Sequence, residues 1–141
     1  MSERDFSRVA SAFKPKTCDQ PSLQGVLGEV LSAISRNDFA AISPHFTDEA
    51  ELHIRGFESI SGSWRGRDAV MTAIAANFES VTGQKPESEA LIEQGNNIAM
   101  LIREEGRWKQ TGKPYRVRGV IWWTFDGERI SKVEEFVLPD D

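Results

Sequence analysis

The strongest candidate for acid–base chemistry in this sequence is Glu135, which lies in an apolar stretch close to its carboxyl end. In a β-strand, alternation puts Glu135 on the same side as Val133 and Val137, which face the protein interior if the hairpin register described below holds. A carboxyl group among apolar side chains is poorly solvated when charged, so its pKa should rise and allow general acid or base catalysis near neutral pH. The alternative is a structural glutamate that is paired with Arg103 or another cation of the sheet.

A second group of charged residues, Arg103-Glu104-Glu105, directly follows the all-apolar run from Ile98 to Ile102. It is therefore expected where a buried strand reaches the rim of the fold. Two interpretations stay open: side chains at the mouth of a pocket, or surface ion pairs, which contribute only about 0–1 kcal/mol each.

The composition gives little support for a metal or cofactor site, a nucleic-acid partner or a membrane span. His45 and His53 are the only histidines, and no spacing of His, Cys, Asp or Glu supplies three or four converging ligands, so we expect no metal and no cofactor. A net charge of −5 argues against nucleic acid as a partner. No apolar run approaches the ~20 residues of a membrane span. The single cysteine, Cys18, suits a reducing compartment, and a cytoplasmic location is expected.

These candidates depend on a long hairpin near the end of the chain. Its strands run from Arg116 to Phe125 and from Arg129 to Val137, and Asp126-Gly127 is a strong turn signal. Trp122 and Trp123 must point to opposite faces of this ribbon. A sheet that is apolar on both faces needs two covers. We predict the chain's own helices around a pocket on one face, and the sheet of a second subunit on the other.

The remaining segments place helices before most of the strands. Residues 1–20 are expected to form a mobile arm, and residues 21–141 a single domain. The apolar periodicity predicts a helix that begins at Ser22 and ends at Asn37, followed by a short helix over 39–43 and a strand over 50–57. After a polar loop over 58–63, a third helix is predicted to begin near Trp64, with an apolar face of Val70, Ile74, Phe78 and Val81. Two further strands are predicted over 87–93 and 98–108. The order α-α-β-α-β-β-β-β predicts an α+β fold.

Several short segments in this order resemble one known superfamily. They are Asn37-Asp38, Phe46-Thr-Asp-Glu-Ala50, Gly66-Arg-Asp-Ala-Val70, Thr111-Gly-Lys-Pro-Tyr115, Asp126-Gly-Glu-Arg-Ile130 and Glu134-Glu-Phe136. Their order and spacing resemble the nuclear-transport-factor-2-like superfamily, in its SnoaL-like and ketosteroid-isomerase-like branch. The resemblance implies a cone-shaped, curved antiparallel sheet wrapped around N-terminal helices, with a pocket that opens into the cone. It also implies frequent homodimers through the outer sheet face, where Trp122, Val120 and His53 would lie.

The resemblance also indicates which known chemistries are absent. Ketosteroid isomerases use a tyrosine and two acids where this chain has Val30, Ile54 and Ile121, so that chemistry is not expected. Limonene-epoxide hydrolases resemble the last strands more closely. By this resemblance Glu135 takes the place of their water-activating acid, and Arg103 with Glu105 takes the place of their Arg-x-Asp pair. Leu52 and Ile54 replace a tyrosine and an asparagine, so half of that site is missing.

The expectation is therefore a pocket protein for a small hydrophobic molecule. If it is an enzyme, it would be a cofactor-independent isomerase, cyclase or hydrolase with Glu135 as acid and base, and with Arg103 and Glu105 as further candidates. The alternative is a non-catalytic binder or dimeric assembly module. The residues expected to shape the cavity or cover its mouth are Leu27, Val30, Leu52, Ile54, Trp64, Phe78, Tyr115, Ile121 and Trp123.

Overall fold

Helices pack against the inner face of a strongly curved sheet in the computed structural model, which describes residues 23–56 and 60–140. The elements are α1 (Leu23–Ser35), α2 (Phe39–Ile42), a 3₁₀ turn (Ser43–His45), β1 (Phe46–Arg55), β2 (Gly62–Arg65), α3 (Arg67–Glu79), β3 (Val81–Gln94), β4 (Asn97–Trp108), β5 (Pro114–Asp126) and β6 (Arg129–Pro139). The strand order is β2-β1-β6-β5-β4-β3, and only the β1–β6 pair is parallel among the described strands. The predicted cone-shaped α+β fold is confirmed. The predicted mobile arm, residues 1–20, lies outside the described residues, as does the proposed helix cap Ser22.

The junction between α1 and α2 follows the local signals in the sequence. Asn37 adopts a positive φ of 58°, a conformation that asparagine tolerates, and α1 ends just before it. The side chain of Asp38 accepts a hydrogen bond of 3.2 Å from the backbone N–H of Ala41 and caps α2. This turn directs the apolar stripe of α1, including the fully buried Leu27 and Val30, into the core.

Three predicted boundaries were wrong in the middle of the chain. Part of the expected polar loop forms β2, in which Trp64 pairs with Leu52 of β1. The third helix begins only at Arg67, because Gly66 has a φ of 95° that no right-handed helix contains. Val81 is the first residue of β3 instead of the last apolar position of the helix. Gly83, with a φ of 64°, lies at a bulge near the start of β3.

The predicted hairpin of β5 and β6 is confirmed, with an antiparallel register that pairs Ile121 with Glu135 and Trp123 with Val133. Alternation along β5 leaves Trp123 only 5% exposed on the inner face, while Trp122 is 42% exposed on the outer face. The two neighbouring indoles therefore contribute to opposite sides of the sheet, as predicted.

Curvature brings β5 and β6 unusually close together at Gly119. A β-carbon at this position would overlap the carbonyl oxygen of Phe136 and lie 2.8 Å from the Cα atom of Val137. Both neighbours are backbone atoms of a central strand, which cannot move aside as a flexible side chain can. Glycine is therefore needed here for close approach of two strands.

Replacement of this glycine should destabilise the fold. We expect Gly119→Ala to lower the free energy of unfolding by about 1–3 kcal/mol, the usual cost of forcing an extra group into a packed region. Gly95→Asn is the matched control, since a β-carbon at the Gly95 turn meets open space and asparagine tolerates its φ of 59°. Urea denaturation of the three proteins measures the difference. Equal midpoints for Gly119→Ala and wild type would contradict the close approach.

Candidate functional site

A cavity of about 170 Å³ lies between the helices and the inner face of the sheet. Its wall is mostly aliphatic and aromatic, with α1, α3 and strands from both ends of the sheet contributing side chains. Seven of the predicted site residues line it: Leu52, Ile54, Phe78, Tyr115, Ile121, Trp123 and Glu135. The geometry is that of an apolar pocket with a few polar groups at selected positions, which is typical of small-molecule sites.

Glu135 is a half-buried side chain in the cavity wall. Its strand, β6, lies between β1 and β5, and Glu135 is aligned with Ile54 on one side and Ile121 on the other. Loss of hydration, and to a smaller degree the negative charge of Glu104, raises the pKa of Glu135 to about 7. At neutral pH the carboxyl group is therefore divided between its protonated and ionised forms.

A second polar group is built around Tyr115 on β5. Its hydroxyl donates a hydrogen bond of 2.6 Å to Oε2 of Glu104 on β4, and the Gln84 side chain also hydrogen-bonds to it. Burial and the nearby negative charge of Glu104 raise the pKa of Tyr115 far above its ordinary value, so the phenol stays protonated and remains a donor. Gln84, only 4% exposed, is the one buried polar side chain in the described part of the chain.

Gly106 allows the tyrosine to lie across β4. It pairs with Tyr115, and a β-carbon on Gly106 would come within 2.7 Å of the Tyr115 hydroxyl oxygen and 2.8 Å of its Cε1 atom. The ring of Trp108 also contacts the tyrosine ring, with ring centroids 5.0 Å apart. The position of the Tyr115 hydroxyl is thus set by packing as well as by its hydrogen bonds.

Arg103 and Glu105, the other two predicted catalytic residues, do not line the cavity. Because Met100 and Ile102 are buried on the inner face, alternation turns Glu104 inward and its two neighbours outward. Arg103 Nε lies 3.4 Å from Glu89 and 3.3 Å from Asp140, and Glu105 lies 4.0 Å from Arg116. The surface ion-pair interpretation therefore describes these two residues. Of these three charged residues only Glu104 lines the cavity, and the sequence did not single it out as a site residue.

Three of the predicted lining residues also lie elsewhere. Leu27 and Val30 are fully buried and face the core beneath the cavity, whose wall on α1 is made by Leu31 and Ile34. Trp64 lies on the edge strand β2 and packs over Gly62, where a β-carbon would meet its ring at 2.8 Å. These three side chains therefore do not line the cavity.

The indole of Trp123 brings one more polar atom to this part of the structure. Trp123 lines the cavity, and its Nε1–H is buried without a hydrogen-bond acceptor among the described residues. A buried donor without an acceptor costs about 1–3 kcal/mol, so such groups are uncommon outside functional sites.

The histidines and the acidic side chains of the described residues form no metal site. No group of three or more His, Cys, Asp or Glu side chains converges within residues 23–56 and 60–140. His53 instead contacts its neighbours on β1 and β2, at 2.8 Å from Ser63 Oγ and 3.1 Å from Glu51. Within the same ranges, no helix is both long and apolar enough to cross a membrane.

Comparison with known proteins agrees with this architecture. The SnoaL-like domain family matches residues 27–133. No curated protein sequence matches the chain. Among solved structures, an NTF2-like protein from Burkholderia thailandensis is 22% identical, with a TM-score of 0.73 over 84% of this chain and 92% of that chain. An NTF2-like protein from Burkholderia xenovorans is 17% identical, with a TM-score of 0.72 over 82% of this chain and 88% of that one.

A third similar structure, from Shewanella putrefaciens, carries a provisional assignment as a SnoaL-like polyketide cyclase. It is 11% identical, with a TM-score of 0.68 over 84% of this chain and 81% of that chain. At these identities the likeness concerns the fold, and function has to be argued from the site. The matched segment takes in most of the helices and strands described above, and the chain belongs to the SnoaL-like domain family.

Proposed function

We propose that this protein is a cofactor-independent enzyme that binds a small hydrophobic molecule and moves a proton on it, with Glu135 as general acid and base. The proposal rests on the surroundings of one side chain, Glu135. Glu135 lies in the wall of an apolar cavity, its pKa is raised to about 7, and no hydrogen bond or ion pair to it comes from the described residues. A structural glutamate of a sheet would be paired with a cation, and Arg103, the expected partner, pairs with Glu89 and Asp140.

The raised pKa is the property that acid–base catalysis requires. A group whose pKa lies near the working pH is present in both forms and can take a proton in one step and return it in the next. Ionised Glu135 would accept a proton from a carbon acid or from water, and the protonated form would deliver it to the product. This sequence of steps suits an isomerase or cyclase, and with water as the proton source it suits a hydrolase.

Glu104 and Tyr115 would support this chemistry without exchanging protons themselves. The hydrogen bond from Tyr115 fixes the Glu104 carboxylate, whose negative charge helps to keep the pKa of Glu135 high. Gln84 fixes the tyrosine in turn. The polar side of the pocket is therefore pre-organised, and most of the remaining wall supplies apolar contact.

The cavity limits the size of the substrate. Its volume of about 170 Å³ is close to that of an engineered cavity of about 150 Å³ that holds benzene. A molecule of one ring with a short substituent would fit within it, and a larger substrate would have to extend through the open side.

A non-catalytic binder is the second candidate, and the aliphatic wall favours it. Leu52, Ile54 and Ile121 occupy the wall next to Glu135, so the cavity residues aligned with the carboxyl on β1 and β5 are aliphatic. In such a binder Glu135 would hydrogen-bond to the ligand without transferring a proton.

We also propose that the protein is a homodimer through the outer face of the sheet. Trp122 and Phe136 are 42% and 44% exposed there, and Ile92 and Leu138 are exposed to a larger extent. Val120 is paired with both Leu101 and Phe136, which makes the apolar patch continuous across β4, β5 and β6. A contiguous apolar patch of this kind is typical of an interface.

The raised pKa of Glu135 can be measured directly. In a carboxyl-detected NMR titration, Glu135 should have a midpoint near pH 7. Glu104→Gln removes a nearby negative charge, so the midpoint should fall, yet stay above the ordinary ~4.3 because burial is the larger cause. Glu105→Gln, one residue along but on the outer face, is the control and should leave the midpoint unchanged. A wild-type midpoint near 4.3 would remove the acid–base proposal.

The basicity of Glu135 can be tested with a generic carbon acid, 5-nitrobenzisoxazole, whose ring opens when its C–H proton is removed. Wild type should open it at least about tenfold faster than Glu135→Gln, since a positioned base is being removed. The ionised form is the active one and its fraction increases with pH, so the rate should rise through about pH 7 and then level off. Equal rates for wild type, Glu135→Gln and the control Glu105→Gln would favour the binder.

The dimer can be tested by light scattering coupled to size exclusion. Wild type should have twice the monomer mass, and Trp122→Glu should shift it to the monomer, because a charge cannot be buried unpaired in an apolar interface. Lys113→Glu, an exposed charge change in the connection before β5, is the control and should remain dimeric. A monomeric wild type would contradict the proposal.

A further inference from the structure

We propose that the molecule bound in this pocket is a compact organic amine, held as its ammonium cation between the carboxylates of Glu135 and Glu104. The inference rests on the proposed function, since it names the substrate class of the same site. It is carried by the charges of the cavity wall, by two polar groups without partners, and by the aromatic rings around them.

The charges of the wall all have one sign. Among the described residues that line the cavity, the titratable groups are Glu135 on β6, Glu104 on β4 and Tyr115 on β5, and none of the lining residues is a lysine, arginine or histidine. The helices and the strands β1 and β3 contribute only apolar side chains and uncharged polar ones such as Asn77, Ser80 and Gln84. An anionic ligand would meet two carboxylates without a countercharge, so acids are disfavoured.

The two carboxylates interact with each other across the cavity, because the charge of Glu104 disfavours ionisation of Glu135. Glu104 receives a hydrogen bond from Tyr115, whereas Glu135 receives none from the described residues. A ligand cation beside Glu135 would compensate both its lost hydration and its repulsion from Glu104. A neutral ligand of the same shape would compensate neither, which gives the amine a specific advantage.

The rings of the wall suit a cation as well as an apolar body. Phe78, Trp108, Tyr115 and Trp123 all line the cavity, and an ammonium group is attracted to the face of an aromatic ring within about 6 Å. The buried Nε1–H of Trp123, which has no acceptor among the described residues, is a second polar group in this wall that a ligand atom could satisfy. The cavity volume of about 170 Å³ admits a single ring with a short amine chain.

Three probes of equal size separate the ligand classes: benzylamine, benzyl alcohol and benzoate. Isothermal titration calorimetry on the full chain at pH 8 should show benzylamine binding at least about tenfold more tightly than benzyl alcohol, and benzoate most weakly. Between pH 8 and pH 6 Glu135 gains a proton while benzylamine stays charged. The affinity for the amine should therefore fall, and that for the alcohol should not.

Variants and an NMR signal show which side chains cause the preference for benzylamine. Glu135→Gln should abolish the preference for benzylamine over benzyl alcohol, and Glu104→Gln should reduce it, whereas the outer-face control Glu105→Gln should retain it. The indole N–H resonance of Trp123, assigned with Trp123→Phe, should shift when benzylamine binds. If Glu135→Gln does not fold, the pH dependence of wild type and the Glu104→Gln variant provide the same test.

Each outcome decides between the two proposals. Equal or tighter binding of benzyl alcohol or benzoate, or no binding of benzylamine at millimolar concentration, overturns the amine proposal. If the amine proposal fails but the NMR titration midpoint of Glu135 is near pH 7, the proposed acid–base function stands without the amine proposal. A midpoint near 4.3 overturns the proposed function itself, whichever probe binds.

Discussion

The antiparallel register of β5 and β6 is the constraint on which the pocket depends. Because Ile121 pairs with Glu135 and Trp123 with Val133, one set of alternate side chains faces the helices and the other faces outward. A one-residue slip of β6 would turn Glu135 out of the cavity, and a one-residue slip of β5 would carry Trp122 into the core. The turn at Gly127 and the close contact at Gly119 hold the register from both sides. The chemistry of a single carboxyl group is thus determined by the pairing of two whole strands.

The same alternation explains why strong and weak electrostatic effects lie so close together. Arg103, Glu104 and Glu105 are consecutive, yet the outer two form exposed ion pairs and the middle one faces an apolar cavity. Water screens the outer pairs, while the charge of Glu104 acts across a poorly hydrated space and changes the pKa of Glu135. Position on one face of a strand, and not distance along the chain, decides which charges can affect chemistry.

Much of the fold could be predicted because its local signals are strong. The hairpin, the junction at Asn37 and Asp38, and the separation of the two tryptophans each follow from a backbone or periodicity rule. Glu135 could be placed in the pocket because Val133 and Val137 mark its face. Glu104 could not be distinguished from Arg103 and Glu105 because the run from Ile98 to Ile102 is apolar on both faces and therefore has no visible alternation. The strand β2 was missed because a short edge strand, one with Trp64 as its only large apolar side chain, has no periodicity of its own.

The parallel pairing of β1 with β6 has a consequence for how the molecule assembles. Glu135 is aligned with Ile54, which belongs to the first strand, while Glu135 belongs to the last. Contacts between such distant parts of a chain form late, because closing a long loop costs entropy before any contact compensates for it. The meander from β3 to β6 can form from neighbouring strands alone, but the pocket cannot. A nascent or partly folded chain would therefore form the β3–β6 meander before it forms the cavity, and closure of the cavity would be the final step of folding.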